Sequence, residues 1–233
     1  MKNKSNIRFD KRLVELYHFD INRLCFSEME NKHIPCTDFF YKKVKIQYLH
    51  PETNTCSDFV LKSPKNMFCF GLNENISNSK RLIGYHLSIS LYNKNNIDRN
   101  EENLFIKILQ EITEKVRNYL VDHREVLEIN NMKHFELRNL SPIWKKSSSK
   151  LNTLNGMLYL KCYYDKFNNE IKTLFINEED KKQVNPLSCI NKHMKMKTAI
   201  QIDSILISPE KINIQMKATE CSFIIPHHRP LLF

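Results

Sequence analysis

Trp144-Lys145-Lys146, with Lys150 four residues on, sets the only tryptophan of the chain beside cations, and Tyr159, Lys161 and Tyr163 repeat that pairing at strand spacing. An aromatic ring offers a face on which any base can stack, worth about 1–3 kcal/mol per base, and lysine neutralises phosphate. The chemistry is that of holding a nucleic-acid strand, not of breaking bonds. Each residue alone has a plainer use: tryptophan capping a core edge, tyrosine filling a second packing layer, lysine guarding a strand edge. Recurrence favours the binding surface. Lys43 and Lys45 alternate with apolar residues in YKKVKIQYL (41–49), Lys195 and Lys197 in HMKMKTAIQIDSILIS (193–208), and Lys217 in KINIQMKATECSFII (211–225).

Such side chains need strands to present them, because alternate residues of a strand share a face. In 41–49 that alternation sets Val44, Ile46 and Tyr48 against Lys43, Lys45 and Gln47. In IGYHLSISLY (83–92) it sets Tyr85, Leu87, Ile89 and Leu91 against His86, Ser88, Ser90 and Tyr92. The period then changes. Leu104, Phe105, Ile108, Leu109, Ile112 and Val116 follow helical spacing and predict one long helix from 101 to about 120, with Asp98 or Asn100 as cap. Pro142 and Ser147 to Ser149 mark the tryptophan stretch as a loop. Behind it, 157–165 predicts a hairpin with 171–176, and 193–208 another with 211–225, leaving Lys195, Lys197 and Gln201 outside. RLVELYHF (12–19) reads equally as a short helix or a strand. The class is mainly β with one long helix (α+β), a small barrel or sandwich.

Composition bounds the function. Thirty-six Lys plus Arg against 26 Asp plus Glu give a formal charge of +10, which favours polyanionic partners. Three glycines cannot spell a phosphate-cradling loop, which makes nucleotide hydrolysis an unsuitable reading. Glu178, Glu179 and Asp180 are consecutive in a turn and cannot all converge on one magnesium ion. Seven cysteines include no C-x-x-C pair, and His227-His228 stands without nearby cysteines. The expectation is a protein with no catalytic residues, no metal and no cofactor. No apolar run reaches the roughly 20 residues of a membrane-spanning helix, and MKNKSNIRFDK lacks the apolar centre of a signal peptide. That predicts a cytoplasmic protein with no membrane partner.

Several stretches carry a resemblance. LSPIWKKSSSKLNTLNGMLYLKCYYDK, NPLSCINKHMKMKTAIQIDSILIS and KINIQMKATECSF, in that order, resemble a family of nucleo-cytoplasmic large DNA viruses linked to single-stranded-DNA binding through an OB-type barrel. GYHLSISLYNKNNIDRNEENLFIKILQEITEKVRNYLV resembles that family's strand and helix, so the likeness spans about 83–223. Its most specific pieces are Pro142 to Lys146 and KTAIQIDSI (197–205). The Asn- and Lys-rich composition equally suits a counterpart from a yeast cytoplasmic linear plasmid. The resemblance implies an OB-like β-barrel with elaborations, Trp144, Lys145 and Lys146 at the strand-binding surface, and replication proteins such as a DNA polymerase as partners. It leaves room for an oligomer. Related phage-type binders recruit polymerase through an acidic tail ending in an aromatic residue; here Phe233 is present and the acid is missing. Together these readings divide the chain into an N-terminal extension (1–40), an OB-like nucleic-acid-binding domain (41–225) and a tail (226–233). The expected function is coating single-stranded DNA during replication with little sequence preference. The alternative is a structural or transcription-complex subunit whose basic faces dock protein or RNA.

Overall fold

The structure, a computed structural model, describes residues 13–33, 40–77, 79–91, 99–129, 140–145, 156–208 and 211–225. Its strands are β1 (Leu13–Val14), β2 (Leu24–His33), β3 (Phe40–His50), β4 (Thr55–Asp58), β5 (Val60–Lys62), β6 (Met67–Ile76) and β7 (Leu82–Ser90). After the helix α1 (Asn100–Asp122) come β8 (Ile143–Lys145), β9 (Gly156–Cys162), β10 (Tyr164–Asp165), β11 (Glu170–Ile171) and β12 (Leu174–Asn177). The chain closes with β13 (Met194–Ile207) and β14 (Ile212–Ile224).

Alternation decides which way each strand faces. Val44, Ile46 and Tyr48 of β3 are buried, as are Tyr85, Leu87 and Ile89 of β7, Leu158, Leu160 and Cys162 of β9, and Met194, Met196, Ile200 and Ile202 of β13. Five strands close on themselves in the order β6-β7-β9-β14-β13-β6. Four of the contacts are antiparallel, and β9 runs parallel to β14, with Lys161 beside Lys217. Numbered along the chain, the circuit is first-second-third-fifth-fourth-first. The fold is therefore an OB-like β-barrel with one helix, and its class is the one the sequence predicts.

β13 carries most of the elaboration. Along one edge it pairs in turn with β6 at Met194–Met196, β5 at Ala199–Gln201 and β3 at Ser204–Ile207, while its other edge stays on β14. Breaks in register at Ala199/Ile200 and Ile202/Ser204 let it bend from the barrel into the wing formed by β3 and its partners β2 and β4. β1 adds to β5, so residues 13–33 of the N-terminal segment are built into the same sheet. The described part of RLVELYHF, from Leu13, is both things: β1 and then a 3-10 turn over Leu16–His18.

Helix α1 buries Phe105, Ile108, Leu109, Ile112, Val116 and Leu120 in the common core, and Tyr119 stacks on Phe26 of β2 at 4.2 Å between ring centroids. Glu101 and Glu102 occupy its first turn, where the helix dipole favours acids. Arg99 is the capping residue and makes no side-chain cap bond, so Asn100 is helical rather than a cap; Asp98 lies outside the described residues.

Three expectations change. The hairpin after 157–165 is short: only Tyr164 with Ile171 and Asp165 with Glu170 pair. β9 has both edges taken by β7 and β14, so β12 lies parallel to β14 instead. The tryptophan stretch is not all loop, since Ile143–Lys145 pairs with the start of β9. Gly156 makes room for it, because a Cβ there would lie 2.7 Å from Cγ2 of Ile143. Gln201, expected outside, is 8% exposed and accepts a hydrogen bond from the Tyr163 hydroxyl.

Gly71 occupies an irregular part of β6 at φ +100°, and a Cβ on it would stand 2.7 Å from the backbone nitrogen of Lys192. The segment Ile190–Lys192 crosses there, bonded through the Asn191 amide to the Leu72 carbonyl. Gly71→Ala should therefore cost at least about 1–2 kcal/mol of stability in urea unfolding. A variant as stable as the parent would show that the crossing is not close.

Candidate nucleic-acid interface

The outer faces of the second and third barrel strands meet side by side. Ser88 and His86 of β7 stand opposite Tyr159 and Lys161 of β9. Lys161 neighbours Lys217 of β14, which in turn neighbours Gln201 of β13. One row thus runs His86, Lys161, Lys217, Gln201 across four strands. Tyr163, just past β9, packs its ring 5.0 Å from the Lys217 ammonium. A groove beside this row is lined by Ile83, Gly84, Tyr163, Tyr164 and the two lysines.

Charge is unevenly balanced here. Lys217 and Lys43 both reach the same oxygen of Asp203, at 3.3 and 3.2 Å. Lys161 instead donates to the Gln215 amide oxygen at 2.7 Å. Burial, then the charges of Lys217 and of Lys211 in the β13–β14 turn, push the Lys161 ammonium below its ordinary value. Two ammonium groups therefore share one carboxylate, and Lys161 beside them has none among the described residues. An anion placed against Lys161 would relieve both its desolvation and its repulsion.

Tyr159 is 42% exposed, with its ring 5.8 Å from that of His86. Burial pushes His86 down and favours the neutral imidazole, whose Nδ1 is buried without a hydrogen-bond partner among the described residues. An exposed phenol, an unsatisfied ring nitrogen and an uncompensated ammonium therefore lie on adjacent residues. The phenol ring can stack on a ligand and the ammonium can neutralise it, while the ring nitrogen lies buried beneath them.

The expected residues divide into groups. Tyr159, Lys161, Tyr163 and Lys217 come together, and Lys43 joins them through Asp203. Lys45 pairs with Glu30 at 3.6 Å on the wing. Lys197 pairs with Glu178 at 3.0 Å, and Glu178 also accepts from the Ser222 hydroxyl. Lys195 stands opposite Phe68 of β6. Trp144 stands in register with Met157, two residues from Tyr159, and Lys145 with Gly156. Lys146 and Lys150 lie outside the described residues, as do His227 and His228. His86 and Lys211 were missing from the expected set. His86 could have been found, since it shares the polar face of β7 with Ser88.

The acidic turn spreads rather than converges. Glu178 turns to Lys197, while Asp180 accepts from the Lys182 amide. Among the described residues no three His, Cys, Asp or Glu side chains are grouped to hold a metal ion, and no helix is long and apolar enough to cross a membrane.

The chain belongs to a family described as a protein of unknown function, DUF2738, whose model matches residues 17–230. No curated protein matches it.

Asp203 gives a test of the charge arrangement. Burial raises its carboxyl, but Lys217, the Ser204 hydroxyl and Lys43 outweigh that and hold it below the ordinary 3.8. A depressed carboxyl contributes stability that is complete above its unfolded value and lost as pH falls through the folded one. Asp203→Asn should therefore flatten the fall of Tm with pH below about 4. Superimposable acid profiles would mean that the two lysines do not share this carboxylate.

Proposed function

We propose that this protein binds single-stranded DNA along the outer face of β7 and β9, coats it with little sequence preference during replication, and performs no catalysis. The observation that carries the reading is the meeting of exposed Tyr159 with Lys161, an ammonium lacking a carboxylate partner among the described residues, on the second and third strands of an OB-like barrel. That face is where such barrels take oligonucleotides or oligosaccharides. A formal charge of +10 favours the polyanion. The likeness of residues 83–223 to a viral single-strand-binding family supports the same ligand, a cytoplasmic setting and a replicative polymerase as partner. The alternative, a subunit docking protein or RNA through its basic faces, predicts no preference for unpaired DNA.

A titration with oligo-dT and with duplex of equal length separates the two, with Trp144 emission as a local readout. The single strand should bind more tightly and quench Trp144. With about four phosphates neutralised, log affinity should fall with log salt at a slope of roughly −3. Tyr159→Ala should weaken binding about 5- to 150-fold with the slope unchanged, because stacking releases no counterions. Lys161→Ala with Lys211→Ala should flatten the slope by up to about 1.4. Equal weak binding to both oligonucleotides would sink the proposal in favour of the alternative.

The lowered ammonium of Lys161 adds a pH signature. A phosphate beside it favours the charged form, so binding takes up protons, and affinity should fall as pH rises through the depressed value. Affinity unchanged between about pH 7 and 10 would remove Lys161 from the contact.

A further inference from the structure

The outer face of β6 carries a second aromatic group that the strand β7–β9 face does not include. Phe68 and Phe70 lie edge to face at 4.9 Å, and His193 closes the set at 5.3 Å from Phe68 and 5.8 Å from Phe70. Met67, Cys69 and Leu72 already fill the interior side of this strand. Phe68 and Phe70 point the other way, and Phe70 is 39% exposed. The crossing segment that Gly71 admits is what delivers His193 to them.

Two further features mark this cluster. The first is continuity. Cys69 pairs with Ile89 and Leu72 with Leu87, so the irregular stretch Phe70–Gly71 lies against Ser88, and Ser88, itself buried, has Tyr159 on its other side. Tyr159 and Phe70 therefore flank one small residue across about 10 Å, two strand spacings. The second is charge. Nine strand lysines have described side chains. Lys32, Lys42, Lys43, Lys45, Lys62, Lys197 and Lys217 pair with carboxylates. The two that form no ion pair among the described residues are Lys161, next to Tyr159, and Lys195, opposite Phe68. Exposed Lys192 adjoins His193 and likewise forms no ion pair among the described residues.

We propose that Phe68, Phe70 and His193 form a second base-stacking subsite, with Lys192 and Lys195 holding the adjoining phosphates, so that the bound strand runs from Lys161 and Tyr159 across Ser88 onto β6. This rests on the single-strand-binding reading and extends it to a path and a longer footprint. A stacking platform tolerates any base, in keeping with binding that ignores sequence.

The test compares Phe70→Ala, Phe70→Tyr and Tyr159→Ala on oligo-dT of about 5 and about 20 nucleotides, within and beyond the footprint of one small site. Melting curves run alongside confirm that each variant is folded. On the long oligonucleotide Phe70→Ala should lose about 5- to 150-fold in affinity and Phe70→Tyr should restore it, since a phenol stacks as a phenyl does. Tyr159→Ala should weaken binding at both lengths, whereas Phe70→Ala should matter less for the short one. Parental affinity for Phe70→Ala at both lengths, with Tyr159→Ala still impaired, would overturn the second subsite and leave the first standing. No binding of oligo-dT by the parent protein would overturn both, and a duplex bound as well as the single strand would assign the aromatic cluster to another kind of partner.

Discussion

The antiparallel pairing of β13 with β14 is the constraint from which the rest follows. Twelve residue pairs join the two strands, from Lys195 with Ile224 to Ile207 with Ile212. That is long enough for β13 to close the barrel at one end and anchor the wing at the other. Along its free edge β6, β5 and β3 dock one after another, and along the free edge of β14 lie β9 and β12. The two register breaks change its direction without ending it, so one hairpin supplies the fully buried Ile202 and Ile205 and also the outward Asp203, Lys195 and Lys217. The polar groups beside Lys161 are thus positioned by the same ladder that holds the core.

How much of this was legible depends on what periodicity encodes. A period of two states which side chains share a face, and on that basis Tyr159, Lys161, Lys195 and Lys217 were assigned outward, where they are. The change to a helical period marked α1 to within about two residues of each end. Period says nothing about neighbours. That β9 lies parallel to β14 rather than antiparallel to β12 follows from the closure of the barrel, a pairing between segments some fifty residues apart. The strand at Ile143–Lys145 was hidden because Pro142 and the serines outweigh three residues of strand signal, and because its seat depends on the missing side chain of Gly156. β6 drew no expectation from the sequence. FCFG has apolar residues on both faces, so alternation alone does not say which side Phe68 and Phe70 take.

Which lysines remain uncompensated was not legible at all. In sequence Lys45, Lys197 and Lys161 are alike, each a cation alternating with apolar residues. Their carboxylate partners come from distant segments: Glu30 lies on β2, Glu178 after β12, and Asp203 serves two strands at once. Only the folded chain distinguishes a lysine that guards an edge from one that keeps its charge.

That distinction is the strongest physical support for a polyanionic ligand. Lys161 is exposed to solvent, yet local burial and the like charges of Lys217 and Lys211 both act against its charged form. Elsewhere on its strands the protein offsets such effects by supplying a carboxylate, and Gln215, a neutral acceptor, occupies the place beside Lys161 where an acid would have neutralised it. The two strand lysines that form no ion pair among the described residues do not fall at random. Each stands beside outward-facing aromatic rings, one at Tyr159 and one at Phe68, and the strands that carry those rings, β9 and β6, are separated only by β7. The proposed ligand, which brings a base and a phosphate together, would gain from an uncompensated cation beside a ring at both positions.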